Sequence, residues 1–216
     1  MAVDCVYTNG CSLTYGSELT DRETECYPAK IAKHFNLPLI NNAKPGSSNQ
    51  RILRTTIQDV EDLLEQGKTP LVLVSWTISS RFELCDENDE WKQFSEPDDK
   101  LSKMIFSKYS SNNGQFETLM LQMTLMENFL KQKEISGLQF NMFPMPIFNL
   151  DWETLDKNVR KFDRQYTITP MFNIGMYVDS FYDWDKQPNH HPGPKGHTII
   201  SDLLIKYIEE RYGSEI

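Results

Sequence analysis

Hydrophobic residues recur along the chain at two spacings that predict alternating strands and helices. Short apolar runs predict strands at 3–8, 37–40, 71–76 and 138–143. Apolar residues at helical spacing predict helices over 27–35, 52–64, 116–133 and 199–208. The run at 71–76 is apolar almost throughout, which is typical of a parallel strand buried on both faces. This alternation predicts βαβ units and a central parallel sheet.

Residues 82–113 interrupt this rhythm with many charges and turn formers. The segment is too long for an ordinary connection, so we interpret it as an insertion with one short helix near 100–109. It is either a lid or partner-binding flap, or a solvated excursion with no function. Residues 149–183 are aromatic and irregular, with a helix expected near 152–162. No linker or repeat divides the sequence, so we predict one domain over 1–216.

Composition excludes several classes of function. The net charge of −9 over 216 residues argues against nucleic-acid binding, which needs clustered Lys and Arg. No apolar run is long enough for a membrane span. The four cysteines lack CxxC spacing, which suits free thiols in a reducing compartment. We therefore expect a cytoplasmic protein with no signal peptide, and a phage protein made in a bacterial host would have the same features.

Ser12 is the first residue that suggests chemistry. The first strand ends at the turn-forming pair Asn9-Gly10, which places Ser12 just beyond its carboxyl end. Ligands of open α/β sheets bind along that edge, so Ser12 is a candidate nucleophile. A serine after a glycine is also common as a turn residue or helix N-cap. Cys11 is an alternative nucleophile, although we expect its side chain to pack under the turn.

Three of the four histidines, His190, His191 and His197, lie in the C-terminal loop or in the first turn of the last helix. A nucleophilic serine needs a base within hydrogen-bond reach, and this loop can return to the sheet edge that carries Ser12. We expect His197 to be structural. A metal site built from the three histidines and Asp185 is the alternative, but adjacent histidines point apart and no HExxH spacing occurs. We predict neither a metal nor a cofactor.

Three short segments, around Ser12, Gly46 and His191, resemble conserved blocks of the SGNH (GDSL-type) hydrolase family. The segment Gly10-Cys11-Ser12-Leu13-Thr14 is similar to the first block, with Cys11 where the family usually has Asp. Gly46 is similar to the glycine of the second block. The pair His191-Pro192, with Gly196-His197 after it, resembles the last block, and this likeness favours His191 over His190 as the base. The similarity is specific at both ends of the chain and weak between them.

The resemblance implies a three-layer α/β/α fold of flavodoxin-like type. It implies that Ser12 attacks a carbonyl carbon and that His191 takes the serine proton. The backbone N–H groups of Ser12 and Gly46 would bind the oxyanion. The implied activity is that of an esterase or O-deacetylase on small acyl esters, with O-acetyl groups of a carbohydrate as the first expectation. The implied partner is a small-molecule or glycan ester.

In the third block, this chain departs from the usual pattern of the family. The family ends the third strand with Gly-x-Asn, whose asparagine donates to the oxyanion. Thr77 stands at that position, and its hydroxyl is a weaker donor. Asn49 from the second block is a possible substitute, and Arg81 is either a ligand for an anionic group or a surface ion-pair residue.

The acid that orients the histidine also departs from the family. The usual Asp stands two or three residues before the histidine, where this chain has Asn189 and Pro188. Asp185 is our candidate acid, with Asp183, Asn189 and a backbone carbonyl as alternatives. Because the orienting group fixes the histidine tautomer, a poor one would make catalysis slow.

Two other functions remain open at this point. An acyltransferase would use the same Ser12 and His191 but exclude water from the acyl-enzyme. A non-catalytic binding module would recognise carbohydrate or a partner through the insertion and the aromatic residues Trp152, Phe181, Tyr182 and Trp184. The sequence does not indicate an oligomeric state.

Overall fold

The computed structural model describes residues 2–95, 100–108, 112–143, 162–168, 191–213 and 216. Its strands are β1 Cys5–Asn9, β2 Leu39–Asn41, β3 Pro70–Trp76, β4 Phe82–Cys85, β5 Trp91–Phe94 and β6 Gly137–Asn141. Its helices are α1 Ser12–Tyr15, α2 Arg22–Glu25, α3 Tyr27–His34, α4 Asn49–Glu65, α5 Lys100–Lys108, α6 Asn112–Gln132 and α7 Pro194–Tyr212. The helix expected near 152–162 lies almost entirely outside the described residues.

Four of these strands form one parallel sheet in the order β2-β1-β3-β6. Residues of β1 pair with both neighbours, as Val6 does with Leu39 on one side and Leu71 on the other. An isolated parallel bridge between Gln139 and Thr167 continues the pairing beyond β6. This order begins like the 2-1-3-4-5 arrangement of flavodoxin-like sheets, in which ligands bind at the carboxyl edge where the order reverses.

Helices cover both faces of the sheet, so the expected three-layer α/β/α arrangement is confirmed. One apolar core joins sheet residues such as Val6 and Leu73 to α3 and α7. The other joins Tyr7 and Val74 to α4 and α6. All seven residues of β3 are buried, as expected for a central strand with helices on both sides. The sequence places these elements well because each buries an apolar face with a regular period.

The insertion contains more structure than the sequence predicted. The helix expected near 100–109 is present as α5, but β4 and β5 also form an antiparallel hairpin that was not expected. Glu83 of the hairpin is 6% exposed and accepts two hydrogen bonds from Arg54 of α4, both 3.0 Å long. The Arg54 guanidinium also lies 4.1 Å from the centre of the Trp91 ring. These contacts hold the hairpin against the body of the domain, so the hairpin is not a free solvated excursion.

Helix α6 places methionines in the core. Met123 and Met126 are fully buried, while Leu121 and Leu125 on the side of the helix are exposed. All four cysteines are free thiols, as expected, and only Cys85 is exposed. Among the described helices, none has the length and apolarity that crossing a membrane would need.

Candidate active site

Ser12 lies where the sequence placed it, at the carboxyl end of β1. Cys11 is the extended N-cap residue of α1, and Ser12 is the first helical residue and only half-buried. Gly10 is required before it, because a Cβ atom at this position would lie 2.2 Å from Oγ1 of Thr14. Cys11 is fully buried in the core, which excludes it as an accessible nucleophile and agrees with the expectation that it packs under the turn.

A buried polar network fixes the strand end that precedes Ser12. The Asn9 amide nitrogen lies 2.8 Å from Oγ1 of Thr55, and the Asn9 amide oxygen accepts from the Gly10 N–H at 2.8 Å. Arg51 of α4 donates to the carbonyl of Asn42 at 3.2 Å and to its side-chain oxygen at 3.1 Å. Burial lowers the pKa of Arg51. The sequence analysis did not identify this network, which joins the ends of β1 and β2.

The loop that carries Gly46 is bound to the loop that carries Ser12. The Lys44 N–H donates to the Gly10 carbonyl at 3.2 Å, and the Ser47 N–H donates back to the Lys44 carbonyl at 3.1 Å. Gly46 has a φ of 75°, a left-handed conformation that favours glycine. The structure thus brings the predicted first and second blocks together at one sheet edge.

His191 is paired with an acid that the sequence analysis missed. The Nδ1–H of His191 donates to Oε2 of Glu18 at 2.8 Å. Both side chains are mostly buried, with 20% of His191 and 17% of Glu18 exposed. The candidate acid Asp185 and its alternatives Asp183 and Asn189 lie outside the described residues, as does the competing His190.

The backbone of Glu18 helps to explain how this carboxylate reaches the histidine. Residues after α1 turn sharply, since the N–H groups of Gly16 and Ser17 both donate to the Ser12 carbonyl at 3.0 Å. Glu18 then adopts a φ of 69°, which is uncommon for a residue with a side chain and costs about 1–2 kcal/mol. Strained backbone of this kind clusters at functional sites. A glutamate in a polar turn gives no sequence signal of such a role.

His197 is structural, as the sequence analysis expected. The Tyr27 N–H donates to its Nδ1 at 3.1 Å, and the two rings stack with centroids 5.9 Å apart. Burial lowers the pKa of His197 to about 4, so the ring is neutral at neutral pH. The Tyr27 hydroxyl in turn donates to Oγ1 of Thr14 at 2.8 Å. This chain of contacts connects the start of α7 to the helix that begins with Ser12.

The structure gives no support to the alternative metal site. Nδ1 of His197 is occupied by the Tyr27 N–H, while His190 and Asp185 lie outside the described residues. Among the residues that the structure describes, no group of three or more His, Cys, Asp or Glu side chains is placed to hold a metal ion.

Asn49 and Thr77 are joined by two hydrogen bonds. The Asn49 side-chain oxygen accepts from the Thr77 N–H at 2.8 Å, and its amide nitrogen donates to the Thr77 carbonyl at 3.1 Å. The Thr77 hydroxyl accepts from Nη1 of Arg81 at 2.9 Å. Asn49 therefore clamps the end of β3, and its role as an oxyanion donor stays a prediction. Arg81 is half-buried and contacts Thr77, and no ion pair joins it to a carboxylate that the structure describes.

Comparisons with solved structures show the fold. A two-domain esterase active on acetylated mannans is 13% identical with a TM-score of 0.52, and the match covers 97% of this chain but only 49% of that chain. A carbohydrate esterase whose active site displays divergent catalytic and non-catalytic binding functions is 13% identical with a TM-score of 0.56, covering 100% and 71%. A protein of the G-D-S-L family from Desulfitobacterium hafniense is 12% identical with a TM-score of 0.54, covering 94% and 98%.

At such low sequence identities the similarity shows the fold alone, and this fold is of the SGNH type. No curated protein matches the sequence. A sequence model of one protein family does match, over residues 15–151, a stretch that lies between Ser12 and His191 and contains Gly46, Asn49, Thr77 and Arg81. On that match, the chain belongs to the family of unknown function designated DUF6071.

Proposed function

We propose that the protein is a serine esterase with the triad Ser12, His191 and Glu18. The observation that carries this proposal is the 2.8 Å hydrogen bond from His191 Nδ1 to Glu18. A carboxylate at Nδ1 fixes the tautomer that leaves Nε2 as a base and stabilises the imidazolium that forms during attack. The acid comes from the loop after the nucleophile and not from the residues before the histidine, so Glu18 replaces Asp185 in our assignment.

The reaction follows from these assignments. The Ser12 oxygen forms a bond to the acyl carbon as its proton passes to Nε2 of His191, and the carbonyl oxygen becomes an oxyanion. Backbone N–H groups of Ser12 and Gly46 stabilise that charge, with Thr77 and Asn49 as further candidate donors. The C–O bond to the alcohol breaks as His191 returns the proton to the leaving oxygen. Water activated by His191 then hydrolyses the acyl-enzyme and restores Ser12.

The substrate in this proposal is a small acyl ester, with an O-acetyl group of a carbohydrate as the first candidate. Support comes from the fold neighbour that is active on acetylated mannans. An acyltransferase with the same Ser12 and His191 would pass the acyl group to a sugar instead of water. Release of acetate compared with transfer to an added sugar distinguishes these two activities.

A binding module is the second candidate function. One observation favours it: Thr77 occupies the position of the expected oxyanion asparagine, and its backbone N–H is already bonded to Asn49. Support comes from a fold neighbour, a carbohydrate esterase whose active site displays divergent catalytic and non-catalytic binding functions. Binding of glycans by Ser12→Ala, with no ester turned over by the wild type, would favour this alternative.

Labelling with a fluorophosphonate probe tests the proposal directly. The labelled residue is located by peptide mass spectrometry in wild type, Ser12→Ala, His191→Ala and Glu18→Gln. We expect labelling at Ser12, none in Ser12→Ala, and much slower labelling in the other two. Ser17→Ala is the matched control, because this neighbouring serine has no assigned role in the reaction. Folded wild-type protein that does not label at Ser12 would contradict the proposal.

A further inference from the structure

A cavity of about 200 Å³ lies beside the carboxyl end of β3, next to the candidate active site. It is lined by residues from α4, the β3–β4 connection, β4, α5 and α6, including Gln50, Arg81, Phe82 and Phe106. Neither Ser12 nor His191 belongs to its wall. Its volume is below the range of about 300–1,000 Å³ that is usual for drug-sized ligands, so it suits a single ring or a short group.

Two buried polar atoms in this wall have no hydrogen-bond partner within the described part of the chain. One is the Nε–H donor of Arg81, and the other is the Oε1 acceptor of Gln50. The Asn49–Thr77 clamp brings these two residues to the same cavity, since Gln50 follows Asn49 and Arg81 donates to the Thr77 hydroxyl. Buried polar atoms are nearly always bonded, so an unpaired donor and an unpaired acceptor on two residues of one cavity wall favour a ligand that pairs with both.

The charge of the wall indicates what kind of ligand the cavity favours. Arg81 is the one charged residue in the described wall of the cavity. No ion pair joins it to any described carboxylate, whereas the nearby Arg54 is paired with Glu83. A counter-charge stabilises a partly desolvated guanidinium, and a carboxylate supplies one through two parallel hydrogen bonds.

The remaining wall indicates what accompanies the carboxylate. The Gln50 oxygen can only accept a hydrogen bond, so it would repel a second anionic group and favours a hydroxyl donor. Phe82 and Phe106 contact each other with ring centroids 5.4 Å apart and give the cavity an aromatic side. An aromatic side suits the apolar face of a sugar ring.

We propose that this cavity binds an acidic sugar residue, a uronate, with its carboxylate on Arg81 and a hydroxyl on Gln50. The inference rests on the proposed esterase function for its catalytic meaning, since it assigns the sugar that carries or neighbours the acyl ester. Binding itself requires no activity of Ser12.

Titration of the whole protein with glucuronate, glucose and propionate tests the site. Glucose lacks the carboxylate and propionate lacks the hydroxyls. We expect glucuronate to bind at least tenfold more tightly than either. Arg81→Gln should weaken glucuronate binding tenfold or more, Arg81→Lys should restore part of it, and Gln50→Leu should weaken it without changing propionate binding. Arg164→Gln, at an exposed arginine, is the matched control.

Failure of this inference is separable from failure of the esterase proposal. The same titration is run on Ser12→Ala, which should bind glucuronate as the wild type does. Equal binding of glucose and glucuronate, or glucuronate binding that survives Arg81→Gln, would overturn the assignment whatever Ser12 does. Selective glucuronate binding in a protein whose Ser12 is unreactive would support the site and contradict the esterase.

Discussion

Glu18 accepts a hydrogen bond from Nδ1 of His191 although 173 positions separate them in the sequence. The two residues come from opposite ends of the chain and meet at the carboxyl edge of the sheet. A second connection supports the first, because His197 at the start of α7 accepts from Tyr27, which also holds Thr14 beside Ser12. The C-terminal segment is therefore fixed against the nucleophile loop at two points.

Replacing Glu18 by Gln should lower kcat for an aryl acetate by about 10²-fold or more, because the amide no longer stabilises the imidazolium or enforces its tautomer. The side chain keeps its size, so the free energy of unfolding should change little. Glu23→Gln, an exposed glutamate of α2, is the matched control and should keep wild-type kcat. A Glu18→Gln variant with wild-type kcat would show that another group orients His191.

His197 should make the protein less stable in mild acid. Its pKa is lowered from 6.5 to about 4 in the folded state, so between these values the unfolded chain takes up a proton that the folded chain does not. The contribution of neutral His197 to the free energy of unfolding is therefore fully present above pH 6.5. It decreases as the pH falls towards 4, by about 3 kcal/mol in total. Urea unfolding at pH 7 and pH 5 measures the loss.

The His197→Phe variant isolates this contribution. It keeps a ring against Tyr27 but cannot titrate, so its free energy of unfolding should vary less between pH 7 and pH 5. It should also be less stable at pH 7 by about 1–3 kcal/mol, because the Tyr27 N–H loses its acceptor. His34→Gln, at an exposed histidine, should keep most of the wild-type pH dependence. An equally steep dependence in His197→Phe would assign the effect to other groups.

The parts of the fold that the sequence predicted are those with a regular apolar period. Strand β3 and helix α4 were found because each buries a continuous or periodic apolar face. The β4–β5 hairpin was missed because its pattern is charged and its strands are only four residues long. Hydrophobic periodicity gives no signal for strands that are so short and so charged.

The candidate site was predictable only in part for a related reason. Ser12 follows a predicted strand, so topology placed it at the sheet edge, whereas Gly46 was identified through the resemblance to the second block of the SGNH family. Glu18 could not be found in this way, because its role depends on a left-handed backbone and on a contact with the other end of the chain. The family pattern instead directed attention to Asp185, which lies outside the described residues.

The Asn49–Thr77 clamp should contribute measurably to stability. Asn49 is 3% exposed, and Asn49→Ala would remove both hydrogen bonds and leave the buried Thr77 backbone unpaired. We expect a loss of about 2–3 kcal/mol in the free energy of unfolding, measured by urea denaturation. Asn49→Asp should lose at least as much, since a carboxylate keeps the acceptor but cannot donate to the Thr77 carbonyl. A change below 0.5 kcal/mol, roughly that of a surface substitution, would contradict the clamp.

The insertion should influence the site through Gln93. If the insertion were a lid that could be removed cleanly, deleting residues 86–97 would change substrate preference and leave Ser12 reactive. The hairpin, however, buries Phe94, which is 4% exposed, so we now expect that deletion to destabilise the whole protein. A point substitution is the sharper test, because Oε1 of Gln93 accepts from the Ser48 N–H at 2.8 Å, two residues after Gly46.

Gln93→Ala should loosen the Gly46 loop, because the Ser48 N–H loses its acceptor. An unpaired buried N–H costs about 1–3 kcal/mol, which corresponds to roughly a tenfold fall or more in kcat/KM if the loop must be ordered for reaction. Acetyl, propionyl and butyryl esters are compared, with probe labelling of Ser12 to show that the nucleophile persists. Lys92→Ala, exposed on the same strand, should match the wild type. If Gln93→Ala kept the wild-type kcat/KM for all three esters, the hairpin would have no role in catalysis and would only form part of the cavity wall.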